Sequence, residues 1–249
     1  MRVLVIGGAG GVGRRLTALL TAAGDEVSGV HRRVEQASVV ERAGGTSVVF
    51  DLVEGTTGDL AALIEGHDAV VFSAGAHGTG REQTTLIDGR GLEKTVDAAR
   101  QAGVARFVLV SAFPEAGRAV TTNAGFEHYM RVKKAADVYL TATDLAWVVV
   151  RPGTLTDDPG TGTVRAGWAL PYGDASRDDV AAFIAVLLHE PRLHKIVVEL
   201  TDGDTPVVGA AAALIAEQRG SITPSSPPRH RRAGSRQTAA SGSARPRSA

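Results

Sequence analysis

Short runs rich in β-branched residues alternate with longer stretches of helical period along most of the chain. Val3-Leu4-Val5-Ile6 is the first such run; glycines follow it at once, and Leu16, Leu19 and Leu20 then recur at helical spacing. Similar runs predict strands at residues 26–31, 47–50, 69–72, 106–110, 145–150 and 196–200. The clearest helices between them cover residues 85–102 and 127–143. This alternation implies a single α/β domain, a doubly wound parallel sheet with helices on both faces. Residues 151–171 carry no such run and are expected to be loop-rich, lying over the crevice at the carboxyl ends of the strands. There is no internal repeat.

Composition narrows the class. At 249 residues, 43% of them hydrophobic, the chain can bury one full core. It has no cysteine, which excludes disulfides, thiolate catalysis and Cys-ligated zinc. No stretch approaches the roughly 18 consecutive apolar residues of a membrane span, and Met1-Arg2 leads straight into a strand rather than a leader. A cytoplasmic address is expected. The formal charge of zero hides an asymmetry: residues 219–249 hold seven Arg and no Asp, Glu or Lys. The remaining body carries 20 basic against 27 acidic residues, a net charge of −7, which argues against nucleic acid as a partner. The domain is therefore expected to span residues 1–217, with 151–217 as a small substrate-side portion. Residues 218–249, rich in Ser, Pro, Ala and Arg, read as a disordered basic tail, because they cannot bury enough surface to offset their ordering entropy.

The strongest local signal is Gly7-Gly8-Ala9-Gly10-Gly11-Val12-Gly13, between the first strand and an amphipathic helix. It contains Gly7-x-x-Gly10-x-x-Gly13 and the overlapping Gly8-x-Gly10-x-x-Gly13. One glycine permits the tight turn, another lets backbone approach a pyrophosphate, and the last lets helix pack on strand. The phosphates would then sit on the free N–H groups of the first turn, including those of Gly11 and Val12, at the positive end of the helix dipole. This context implies a Rossmann-type dinucleotide site.

The end of the second strand bears on which dinucleotide. An NAD(H) site places Asp or Glu there, about 20 residues past the glycines, to bond the ribose hydroxyls. Here the chain reads Val30-His31-Arg32-Arg33, with no acid. Two guanidiniums suit a 2′-phosphate, whose charge and geometry match their fork. NADP(H) is expected over NAD(H), unless Arg32 and Arg33 merely solvate a helix start.

Taken together, Gly7 to Gly13, Asp51-Leu52, Phe72-Ser73-Ala74-Gly75, residues 107–111 and Val150-Arg151-Pro152-Gly153 resemble the atypical short-chain dehydrogenase/reductase family. More narrowly, they are similar to its small bacterial NAD(P)H-binding members, which carry epimerase or oxidoreductase labels. Ser176-Arg177-Asp178-Asp179-Val180-Ala181 and residues 200–206 extend the resemblance to about residue 216. It implies that Asp51 and Leu52 flank the adenine, that Ser73, Ala74 and Gly75 line the adenosine ribose and pyrophosphate, and that Pro152 and Gly153 contact the nicotinamide end. Without it, Ser73-Ala74-Gly75 could be an ordinary strand-end turn.

The resemblance also points to Ser111, Tyr129 and Lys133 as the catalytic set. Tyr129 and Lys133 are four apart on one predicted helix and so share a face. In catalytic members of the family such a Tyr is the general acid/base; the Lys lowers the phenol's pKa and binds the nicotinamide ribose, and a Ser ending the fifth strand polarises the substrate carbonyl. The fourth position of the set, normally Asn, is occupied by Asp88, which cannot donate a hydrogen bond unless protonated. Asp88 could instead be a helix-surface acid.

Other residues carry weaker signals. The seven His show no metal-ligand spacing, and no metal is expected. His128 could donate a proton in place of Tyr129 or simply stand exposed at a helix start. Asp157 and Asp158 could face a substrate or solvate a turn; Trp168 and Tyr172 could stack on a flat substrate or cap the core. Three readings follow: an NADP(H)-dependent oxidoreductase acting on a small carbonyl or quinone-like substrate, a non-catalytic NADP(H)-binding redox sensor, and a sugar-nucleotide epimerase or dehydratase. The last needs a larger substrate lobe than residues 151–217 provide.

Overall fold

In the computed structural model of the chain, which describes residues 1–76, 78–113 and 123–220, the first strand already shows how the sheet is covered. Along β1 (Arg2–Ile6), Val3 and Val5 point to one face and Leu4 and Ile6 to the other, all four fully buried. A strand buried on both faces must be apolar at every position, and this one is after its first residue. Its neighbours follow in chain order: α1 (Gly11–Ala22), β2 (Glu26–His31), α2 (Ala37–Arg42), β3 (Thr46–Val49), α3 (Thr57–Ile64) and β4 (Ala69–Phe72). Then come α4 (Arg81–Thr84), a π-helical stretch (Thr85–Gly91), α5 (Leu92–Gln101), β5 (Arg106–Val110), α6 (Ala124–Thr141) and β6 (Ala146–Pro152). The remainder is β7 (Thr154–Thr156), β8 (Thr163–Gly167), β9 (Asp174–Ser176), α7 (Arg177–Leu188), β10 (Ile196–Asp202), β11 (Thr205–Pro206) and α8 (Val207–Gly220).

The main sheet runs β11-β8-β10-β6-β5-β4-β1-β2-β3, and every pairing from β10 to β3 is parallel. Helices α1, α7 and α8 cover the face of Val3 and Val5; α3, α5 and α6 cover the face of Leu4 and Ile6. Two core layers therefore lie on either side of one sheet. This is the Rossmann-type doubly wound architecture read from the strand–helix alternation. The strand order reverses between β1 and β4, so a crevice opens at their carboxyl ends. Among the described residues no helix is long and apolar enough to cross a membrane.

Two features differ from the sequence reading. Residues 151–171 are not simply a loop. They carry β7, which pairs with β9 in a separate two-stranded sheet, and β8, which extends the main sheet antiparallel to β10. Both are short and rich in Thr and Gly; along β8 only Val164 is buried. Their pairing is set by partners distant in sequence, not by a hydrophobic period of their own. The second feature is the π-helical stretch inside the helix expected at 85–102. It contains Gly89, Gly91 and a buried Asp88, whose carboxylate accepts the Ala76 N–H at 2.9 Å. Apolar spacing cannot tell a π turn from an α turn, whereas this side-chain bond depends on it. The tail expected from residue 218 lies outside the described residues beyond Gly220, where α8 ends.

Phe107 sits at the centre of this core, fully buried on β5 between Val70 and Trp147 of the flanking strands. Phe107→Ala is expected to cost about 3–5 kcal/mol in urea denaturation, the usual sum of lost burial and a residual cavity. A loss below about 1 kcal/mol would mean that the site collapses without a void.

Candidate functional site

The glycine turn is built by close backbone approach. Gly7 adopts φ +86°, and a Cβ there would lie 2.7 Å from the Ala74 nitrogen. A Cβ on Gly13 would lie 2.2 Å from the Gly7 oxygen, so only glycine lets α1 start this near to β1. The turn is tied to its neighbours: the Gly7 and Gly8 N–H groups both reach the Val30 carbonyl at 3.0 and 2.9 Å, and Ser73 N–H reaches that of Ile6 at 2.9 Å. Gly10 has no side-chain cap on α1, which leaves the first-turn amides of Gly11, Val12 and Gly13 open to an anion.

Beside this turn lies a cleft of about 580 Å³. Its walls include Gly7 and Gly10 at one end, Ser73, Ala74 and Gly75 along one side, and Arg32, Arg33, Gln36, Asp51 and Leu52 at the other end. His31 holds the arginine loop in place: one ring nitrogen meets the Arg33 carbonyl at 2.9 Å and the other Ser47 Oγ at 2.7 Å. Arg32 and Arg33 are exposed. The Asp51 carboxylate is turned into its own loop, accepting the Val53 N–H at 2.8 Å, and Lys94 Nζ fastens that loop through the Leu52 and Gly55 carbonyls. Bare first-turn amides at one end of the cleft and Arg32 and Arg33 at the other fit a dinucleotide.

A second cleft, about 500 Å³, adjoins the first along Ser73, Ala74, Gly75 and Ala76. Ser111, Tyr129 and Lys133 all line it, with Asp88, Phe126, Leu155 and Arg177. The structure thus brings the three predicted catalytic residues to one wall. Pro152 and Gly153 line neither cleft. The Gly153 N–H bonds to the Leu200 carbonyl at 2.9 Å, and a Cβ on Gly153 would lie 1.9 Å from the Gly173 oxygen, so this glycine serves the close packing of β6 on the segment before β9.

The electrostatics of this wall depart from expectation in three ways. Asp88 is no surface acid: it is 2% exposed and stands 3.7 Å from Lys133 Nζ, which also donates to the Val110 carbonyl at 3.0 Å. The lysine charge is thereby largely answered by Asp88. Accordingly the Tyr129 phenol is held well above its ordinary pKa, first by burial and then by the carboxylates of Asp88 and Asp137, instead of being lowered by Lys133. Ser111 is also committed, its hydroxyl donating to Asp137 Oδ1 at 2.6 Å.

Asp137 is the residue the sequence reading missed. It is buried, it accepts Arg151 Nε at 2.9 Å besides Ser111, and burial pushes its carboxyl above the usual range while those partners pull it down. Its signal was available: Tyr129, Lys133 and Asp137 are spaced four apart, so all three share the inward face of α6.

The weaker candidates resolve locally. The imidazole of the half-buried His128 meets Thr85 Oγ1 at 2.8 Å. Asp157 pairs with Arg177 at 3.1 Å and Arg15 at 3.4 Å, and the Asp158 carbonyl accepts Ser176 Oγ, so this loop is bolted to α1 and α7. Trp168 donates to Glu217 at 2.7 Å; Tyr172 packs edge-on against Phe113 with ring centres 5.5 Å apart. Neither aromatic lines either of the two clefts described above.

Comparison with known proteins agrees with this geometry. A family model described as NAD(P)H-binding matches residues 7–191. An uncharacterised sugar epimerase, YhfK of Bacillus subtilis, is 38% identical over 216 residues, covering 86% of this chain and 100% of its own. Among solved structures, a provisionally assigned NAD-dependent epimerase/dehydratase from Bacillus halodurans superposes with a TM-score of 0.77 at 32% identity, covering 87% of this chain and 99% of its own. The oxidoreductase ylbE from Lactococcus lactis also gives 0.77, at 28% identity and with 87% and 97% covered.

The raised phenol has a direct test. In ultraviolet titration of the protein, Tyr129→Phe is expected to remove phenolate absorbance that develops only above pH 10. Loss of a component titrating near or below pH 9 would mean that Lys133 governs the phenol after all.

Proposed function

The chain belongs to the NAD(P)H-binding family, within the atypical short-chain dehydrogenase/reductases, and on that footing we propose that it is an NADP(H)-dependent oxidoreductase acting on a small carbonyl or quinone-like substrate. The observation that carries this reading is the pair of adjoining clefts. One ends on Arg32 and Arg33, and the other is walled by Ser111, Tyr129 and Lys133. The first-turn amides of α1 would hold the pyrophosphate, Asp51 and Leu52 the adenine, and Arg32 and Arg33 the 2′-phosphate.

When bound, the reduced nicotinamide supplies a hydride to the substrate carbon. Tyr129 donates the proton to the substrate oxygen and is reprotonated from solvent through the open cleft. Burial keeps the phenol in the protonated form from which it would donate, and weakens it as an acid in the same measure. Lys133, paired with Asp88 and donating to the Val110 carbonyl, lines the cleft and would bind the nicotinamide ribose. Ser111, its oxygen fixed by Asp137, orients the substrate beside the phenol.

An epimerase reading, favoured by the name of the Bacillus subtilis relative, asks for a lobe that can grip a sugar nucleotide. Here α7, α8, β8 and β10 go into the core and the main sheet, and only the small β7–β9 sheet is left at the cleft side. That allocation supports a small substrate. The substrate-side portion, residues 151–217, is accordingly mostly scaffold, and the basic segment from 218 is read as an appendage to the domain.

Isothermal titration is expected to show NADPH binding more tightly than NADH by about tenfold or more, since one charge-assisted contact is worth roughly 1.5–3 kcal/mol. Arg32→Asp should reverse that order. With a reducible acceptor, Tyr129→Phe should lower turnover by about 10²-fold or more while NADPH binding persists, and Lys133→Ala should lower both. Equal affinities for the two dinucleotides would refute the cofactor choice. An acceptor reduced equally well by the phenylalanine variant would refute the proton donor, and a protein that binds NADPH but reduces nothing would be a sensor.

A further inference from the structure

Gly11 is the one glycine of the turn that neither spaced pattern requires. It occupies an open position in both Gly7-x-x-Gly10-x-x-Gly13 and Gly8-x-Gly10-x-x-Gly13. The structure supplies a reason for it. A Cβ on Gly11 would lie 2.7 Å from Cδ and 2.8 Å from Nε of Arg177, a residue 166 positions away in sequence that opens α7. The missing side chain makes room for an arginine laid across the first turn of α1.

That arginine is oddly placed for a structural role alone. A cation in the first turn of a helix opposes the helix dipole, and α7 already has Ser176 as its N-cap with Asp178 and Asp179 to complement that end. Its side chain is 21% exposed and lines the second cleft, which shares Ser73, Ala74, Gly75 and Ala76 with the first. Its ion-pair partner is Asp157, a 69%-exposed carboxylate that engages one terminal nitrogen at 3.1 Å and is shared with Arg15. A guanidinium has five donors, so such a tether leaves most of the fork available. Meanwhile Gly160 N–H on Asp178, and Thr161 and Gly162 N–H on Asp179, pin the loop carrying Asp157 and so fix where that tether holds Arg177.

We propose that Arg177 is a dinucleotide-binding residue, reaching from α7 across Gly11 to take a pyrophosphate oxygen alongside the first-turn amides of α1. This rests on NAD(P)H binding by the family and not on the choice between the two cofactors. The pyrophosphate is common to both dinucleotides, so Arg177 adds affinity for both without selecting either. Gly11 is then a clearance residue that acts through Arg177.

Separate calorimetric titrations of NADH and NADPH into the full-length protein test it. Arg177→Gln is expected to weaken both by about tenfold and leave their ratio unchanged, with Arg177→Lys, which keeps the charge but loses the fork, in between. Gly11→Ala should reproduce the loss by displacing the guanidinium, and in the Arg177→Gln background it should add nothing further. Unchanged affinities in Arg177→Gln overturn the proposal. So do losses from Gly11→Ala and Arg177→Gln that simply multiply, or a loss confined to NADPH. Should Arg177→Gln fail to fold, Arg177→Lys against Gly11→Ala gives the same comparison. The NADPH-to-NADH ratio of the unmodified protein bears only on cofactor choice, so either conclusion can fail without the other.

Discussion

The close approach of backbone to backbone where β1 turns into α1 is the contact on which both clefts depend. Gly13 stands against the Gly7 carbonyl, and Gly7 against the Ala74 amide at the end of β4, at separations that admit no side chain. This sets the distance of α1 from the sheet and aims its uncapped amides into the crevice. It also brings Ser73, Ala74 and Gly75 to the seam shared by the two clefts. A methyl group at Gly7 or Gly13 would push apart the strand end, the helix start and the neighbouring strand together, because packed cores transmit displacement rather than absorb it.

Charge is handled by the opposite strategy, burial in matched pairs. Lys133, Asp88 and Asp137 are each at most 4% exposed, and an isolated ion so placed would cost several kcal/mol. Each has partners: Lys133 with Asp88 and the Val110 carbonyl, Asp137 with Arg151 and Ser111. The pairing leaves Tyr129 under the influence of two carboxylates and a desolvated wall, which keeps the proton on its phenol. Burial and the two carboxylates thus hold the phenol in its neutral, protonated form. The protonation state of this wall is coupled to how the helix face from Tyr129 to Asp137 is buried.

The carboxyl-terminal third supports the site from outside. β8 and β10 widen the sheet, and α7 and α8 complete the core against Val3 and Val5. The loop through Asp157 is fastened to α1 by Arg15 and to α7 by Asp178 and Asp179. Segments that could have formed a substrate lobe are spent on scaffold and on bracing the first turn of α1.

How much of this was legible in the sequence follows from how far each signal reaches along the chain. Runs such as Val3 to Ile6 and Ala69 to Phe72 declare buried parallel strands by themselves, because a strand covered on both faces must be apolar throughout. The glycine spacing, the paired arginines after β2 and the shared face of Tyr129 and Lys133 are equally local, and they singled out residues that line the two clefts. Whether Lys133 would raise or lower the phenol, where the Ser111 proton goes, why residue 11 is glycine and how residues 151–171 pair were not legible. Each depends on a partner from another element: Asp88 from the π-helical stretch, Asp137 from α6, Arg177 from α7, β10 beside β8. Sequence alone determined the pattern of burial and the inventory of chemical groups, because periodicity and residue type are properties of neighbouring positions. Only the tertiary structure decided which charges meet and at what distance, because Coulomb energies, desolvation and steric clearance depend on separations in space that the order of residues does not contain.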